Sequence, residues 1–130
     1  MMLIPQELEG FDVRDAVARM LDRPELWWQA VGFFVHHFST WEADWLEVRD
    51  NDQAERRCVH AIRSAAANVG AMRLAALAER LENILLRRIA GEDVNIPVDL
   101  RAELAAAFGL AWKSAEAAWR EAGCELPGQS

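Results

Sequence analysis

His60 is the residue with the clearest chemical opportunity in this chain. An imidazole presented at a protein surface is a nucleophile toward phosphorus, and the phosphoramidate it forms carries negative charge that nearby guanidinium groups stabilise. Advancing by roughly 100° per residue from His60 places Cys58, Ile62, Ala65 and Val69 at roughly 140° to 200°, on the opposite face of a helix. Gln53, Arg56, Arg57, Arg63, Ser64 and Ala67 fall within about 60° of the histidine. The imidazole therefore points away from the apolar stripe, among cations that favour its neutral form. Ser64 and Ala67 are small enough to let a partner's phosphorylated side chain approach. The plainer alternative is an incidentally exposed histidine.

Little else in the sequence competes for chemistry. His36 and His37 are adjacent, so on a helix they point about 100° apart and do not share a metal as an i, i+4 pair would. Cys58 and Cys124 lack CxxC spacing and read as free thiols in a reducing compartment. Neither a Gly-rich phosphate loop nor a second base accompanies His60, so the chain is not expected to activate ATP on its own. Catalytic machinery should come from a partner.

The elements that must position His60 follow from composition and spacing. A chain of 130 residues has the size of one domain, and 52% apolar residues with no Tyr, seven Gly and four Pro suit helices. A net charge of -7 disfavours nonspecific binding to nucleic acid or anionic membrane. The start Met1-Met2-Leu3-Ile4-Pro5 lacks a basic leader, and no apolar run is long enough to span a bilayer, so the expectation is a cytoplasmic protein.

Five helical segments are expected. The first, short, runs over 12–21; Asp22 is placed to cap a second that starts at Pro24 and continues to about Arg49, with Ser39-Thr40 as a point of kinking or interruption. Trp27, Val31, Phe34, Phe38, Trp41 and Trp45 form its core stripe. Trp28, Gly32 and Val35 lie off that stripe, either as an apolar docking patch or as cover for another part of the bundle. Asn51 or Asp52 caps a third helix ending at Gly70, and a fourth covers 71–90 with Leu74, Leu77, Leu81, Ile84 and Leu85 inward. After a loop over 91–97, a last helix covers 98–122 through Leu104, Phe108, Ala111, Ala115 and Trp119. The expected fold is all-α, an antiparallel up-down four-helix bundle with an additional short N-terminal helix. The domain should span 10–122, with tails at 1–9 and 123–130, the latter frayed.

The stretch VHAIRSAAANVGAMRLAALAERLE resembles the histidine-containing phosphotransfer (HPt) domains of two-component phosphorelays. Their motif places Lys three residues after the active histidine, small residues at four and six, Gly at ten followed by Ala, and Leu at fourteen. The corresponding positions here are His60, Arg63, Ser64, Ala66, Gly70, Ala71 and Leu74. Upstream, Gly10-Phe11-Asp12 and Pro24-Glu25-Leu26-Trp27 fit the family's entry into its first helices, so the likeness covers 10–90. Two positions depart: Arg63 keeps the charge of the usual Lys but not its geometry, and Ser64 narrows the space left by the usual Gly.

The resemblance implies a phosphorelay intermediate. His60, through Nε2, would carry a phosphoryl group between receiver aspartates of a hybrid sensor histidine kinase and a response regulator, with Arg63 stabilising phosphoryl charge. Arg56, Arg57, Ser64, Ala67, Trp28, Gly32 and Val35 would meet the receiver. The chain itself would bind no cofactor or metal, Mg2+ belonging to the receiver, and would act as a monomer without kinase activity of its own. The competing reading is a noncatalytic helical adaptor that binds a receiver or kinase without transfer.

Overall fold

A computed structural model describes residues 4–123. Among them are six helices and no strands: α1 (Val13–Arg19), α2 (Pro24–His37), α3 (Trp41–Val48), α4 (Asp52–Val69), α5 (Met72–Ile89) and α6 (Leu100–Glu121). The expected all-helical class is observed. The long second helix is two helices, because the chain breaks at Phe38–Thr40: Phe38 closes α2 through its N–H to Phe34 O, and Thr40 Oγ1 donates to Asp44 Oδ2 at the start of α3. Hydroxyl side chains offer the backbone alternatives to helical pairing, which is why Ser39-Thr40 is a natural place for the break.

Other ends follow the capping chemistry of the sequence with two differences. Asn51 accepts from Ala54 N at 3.0 Å to start α4, and Asp12 does the same for α1 with Asp15 N. Asp22, expected to cap α2, instead adopts positive φ together with Leu21, and Arg23 takes the cap position without a side-chain bond. The last helix starts at Leu100 rather than at Val98, which is 95% exposed. Residues 124–130, including Cys124 and most of the expected frayed tail, lie outside the described residues.

Gly70 ends α4 in the left-handed conformation, φ 88°, with Ala71 N bonded to Ala66 O. A Cβ there would lie 2.7 Å from Asp12 O, and Asp12 N itself bonds to Gly70 O. Glycine is required twice over, for the backbone angle and for the docking of α1 on the α4–α5 turn.

The helix bearing His60 sits between neighbours. α4 packs along α5 on one side and against α2 and α3 on the other, while α6 packs on α5 and α2 and α1 covers one end of α2 and α4. Trp27, Trp45, Phe34, Ile62, Leu81, Leu85 and Leu104 are fully buried at the centre. The indole N–H groups of Trp27, Trp41 and Trp112 donate to the carbonyls of Val69, Cys58 and Val35, tying helices together without leaving these polar atoms unpaired. On α4 the buried residues are Glu55, Val59, Ile62, Ala66 and Val69, with Cys58 and Ala65 only half-buried. The core axis is thus turned roughly 50° from the stripe expected from sequence, toward α5. His60 remains exposed.

Candidate functional site

Two helices build the environment of His60. Its side chain is about half exposed at 49%, and its Nδ1 lies 2.8 Å from Oε2 of Glu82, a carboxylate on α5 that is 1% exposed. The other oxygen, Oε1, accepts from Arg63 at 2.6 Å, and Arg63 also lies 3.8 Å from Glu79. Arg56 Nε stands 3.2 Å from Glu82 Oε2, within ion-pair range but without hydrogen-bond alignment.

This pairing fixes the chemistry of the ring. Burial pushes the Glu82 carboxyl upward, but hydrogen bonds from Arg63 and His60, reinforced by their charge, hold it below its ordinary value. The carboxylate is therefore ionised and can only accept, so Nδ1 must be the donor. In the neutral imidazole the proton sits on Nδ1 and the free lone pair on Nε2. An oriented nucleophile results, held by a buried anion on the neighbouring helix.

The arginine-rich surroundings read from α4 alone are corrected by this carboxylate. Arg56 and Arg63 turn toward α5 and share Glu82, leaving Arg57 exposed and outside that pairing. Ser64 is exposed beside His60; Ala67 is partly buried, and its carbonyl accepts from Arg19 of α1 at 3.0 Å.

Trp28, Gly32 and Val35 do not form a docking patch. Trp28 and Val35 are buried at 2% and 0%, and the Trp28 ring packs 5.0 Å from that of Trp119 on α6. Any Cβ on Gly32 would run into the Trp119 indole, and Val35 O accepts from Trp112. A helix flanked by both α4 and α6 buries a wider arc than one stripe, and these three residues face the second neighbour. The exposed face of α2 instead presents Phe33, 58% exposed and stacked on His37 at 4.6 Å. Together with Ala30 and with Ala61, Ser64 and Asn68 of α4, these rings line an open groove of about 450 Å³ beside His60.

Sequence reasoning missed Glu82 and the α2–α4 groove. For Glu82 a signal existed: on α5 it falls on the apolar arc, between Ala75 and Ala78, both buried and both small enough to make room for a carboxylate. Among the described residues no group of His, Cys, Asp and Glu gathers as a metal site; His36 instead meets the edge of Trp119. No described helix is long and apolar enough to cross a membrane.

The Hpt domain family model matches residues 36–110, more than half of the chain, and the chain belongs to that family. Membership places it in the histidine phosphotransfer chemistry of two-component signalling. The matched span contains α3, α4 and α5 whole, with His60, Arg63 and Glu82, and reaches into α6. No curated protein and no solved structure matches the chain significantly.

Proposed function

We propose that this Hpt domain protein carries a phosphoryl group on Nε2 of His60 between receiver aspartates, one on a hybrid sensor kinase and one on a response regulator. The observation that carries the reading is the Nδ1–Glu82 bond at 2.8 Å, which leaves Nε2 as the ring atom with a lone pair to offer. The receiver supplies the aspartate and Mg2+, and Arg63 supplies positive charge beside the phosphoryl oxygens. Arg57, Ser64 and the groove lined by Phe33 and His37 form the surface on which the receiver rests. The scaffold is an antiparallel up-down bundle in which α2 with α3, α4, α5 and α6 are the four members, a reading that rests on their neighbour pattern and short connections.

The test is a transfer assay with a radiolabelled phospho-receiver. The wild-type chain should acquire acid-labile label and His60→Gln none. Equal binding of the receiver by both proteins with no label on either would favour the adaptor instead.

A further inference from the structure

Two arginines of α4 reach the Glu82 carboxylate, one before His60 in the chain and one after it, and they meet it differently. Arg63 is committed: NH1 donates to Oε1 at 2.6 Å, and NH2 stands 3.8 Å from Glu79. Drawing Arg63 away would strip its hydrogen bond from a carboxylate that is 1% exposed, and a buried charge left unpaired is costly. Arg56 is not committed in this way. Its Nε comes within 3.2 Å of Oε2 without alignment and, although shielded from solvent, has no hydrogen-bond partner among the described residues. Buried donors are rarely left unpaired, and an acceptor that arrives only during the reaction accounts for this one.

Position favours the same residue. Arg56 precedes His60 by about one turn and about 40° of rotation, and its Nε and the Nδ1 of His60 approach the same oxygen, Oε2. The head of Arg56 is therefore already beside the ring whose Nε2 is free. Its side chain is 33% exposed, so the terminal nitrogens can turn outward without breaking a hydrogen bond. Arg57 lies about 60° from His60 in the opposite sense and is exposed, with no contact among the described residues that brings it to the ring.

We propose that Arg56 is the phosphoryl-binding residue of the loaded chain: its guanidinium turns from Glu82 to donate two hydrogen bonds to oxygens of the phosphoryl group on Nε2. Arg63 stays on Glu82 and contributes charge from a fixed place. The proposal rests on the reading of His60 as phosphoacceptor. During loading, the Nε2 lone pair forms the N–P bond while the P–O bond to the donor aspartate breaks, its electron pair leaving with the carboxylate oxygen. During unloading, an oxygen of the acceptor aspartate forms the new P–O bond and the N–P pair returns to Nε2. Arg56 gives up no proton in either direction. Its part is forked, charge-assisted recognition, which a guanidinium provides and an ammonium does not.

The experiment uses the full chain with 15N-labelled arginine, loaded with potassium phosphoramidate so that no receiver takes part, and reads guanidinium signals alongside 31P. His60→Gln identifies the phospho-His60 phosphorus, while Arg56→Lys and Arg63→Lys each remove, and so assign, one guanidinium. Loading should shift the Arg56 guanidinium and slow its exchange with water, leaving that of Arg63 in place. At equilibrium with a phospho-receiver, Arg56→Gln should hold about tenfold less phosphoryl than wild type, with an unchanged circular dichroism spectrum, and Arg56→Lys should recover only part of the loss. A phospho-His60 signal with no response at Arg56, a response confined to Arg63, or an unchanged equilibrium in Arg56→Gln would each overturn the proposal while leaving His60 as phosphoacceptor. Should Arg56→Gln not fold, the Arg56→Lys spectra and equilibrium decide. No phosphorus on His60 would overturn both readings. A receiver that fails to label a chain whose Arg56 responds to phosphoramidate would count against the phosphorelay while leaving this assignment standing.

Discussion

Arg101 of α6 grips Glu55 of α4 with two nitrogens, Nε to Oε2 at 2.9 Å and NH2 to Oε1 at 2.5 Å, and Trp45 of α3 donates to Oε2 as well. The Glu55 side chain is fully buried, so this cluster joins three helices around one desolvated anion. Removing the cation should be costly: Arg101→Met leaves a buried carboxylate without its counter-charge and should destabilise the fold by about 3 kcal/mol. Urea unfolding at neutral pH measures it, and a loss under about 1 kcal/mol would contradict the assigned role.

Gly32 is a packing residue, and its substitution separates packing from docking. A methyl group at Gly32 meets the Trp119 indole, which is itself packed on Trp28. Gly32→Ala should cost about 1 to 3 kcal/mol of stability and shift tryptophan fluorescence, as overpacking does. Receiver affinity of the folded fraction should be unchanged. Phe33→Ala, on the groove, should do the reverse, weakening receiver binding with little loss of stability, and calorimetric titration with a receiver distinguishes the pair.

Acid should weaken the fold partly through Glu82. Burial raises its carboxyl, but the hydrogen bonds and charges of Arg63 and His60 together hold it below its ordinary value of 4.5. A folded-state value lowered in this way contributes stability that is complete above about 4.5 and is lost as pH falls through the lower folded value. Glu82→Gln should therefore show a shallower loss of stability on acidification than wild type. Parallel denaturation curves taken through that range report the difference, and identical slopes would speak against the assigned titration.

Cys58 should be a sluggish thiol. Burial, with added repulsion from Asp44 and Glu55, pushes its pKa up to about 11, so almost no thiolate exists at neutral pH. Iodoacetamide should modify the Cys58 peptide slowly at pH 8 and much faster in denaturant, as read by mass spectrometry. Rapid native modification would show a more open α3–α4 contact.

Much of α4 could be read directly from sequence, because its determinants are local. The Asn51 cap, the Gly70 ending and the outward direction of His60 all follow from residues within one helix. What could not be read that way depends on neighbours. Glu82 reaches His60 from 22 positions along the chain, and nothing in α4 reveals which side chain α5 presents to it. The misassigned face of α2 has the same origin: one apolar stripe accounts for one neighbour, whereas α2 packs against α4, α6 and, at one end, α1. The seven-residue spacing of Trp112 and Trp119 was the available hint, since two indoles on one face of α6 need a facing surface with room at Gly32.

The most direct test of the central claim is where the phosphorus goes. The chain, labelled with 15N-histidine and phosphorylated by a phospho-receiver, should show a single 31P signal coupled to Nε2 of His60, absent from His60→Gln. Coupling to Nδ1, a signal on His36 or His37, or phosphorus bound to oxygen would contradict the account.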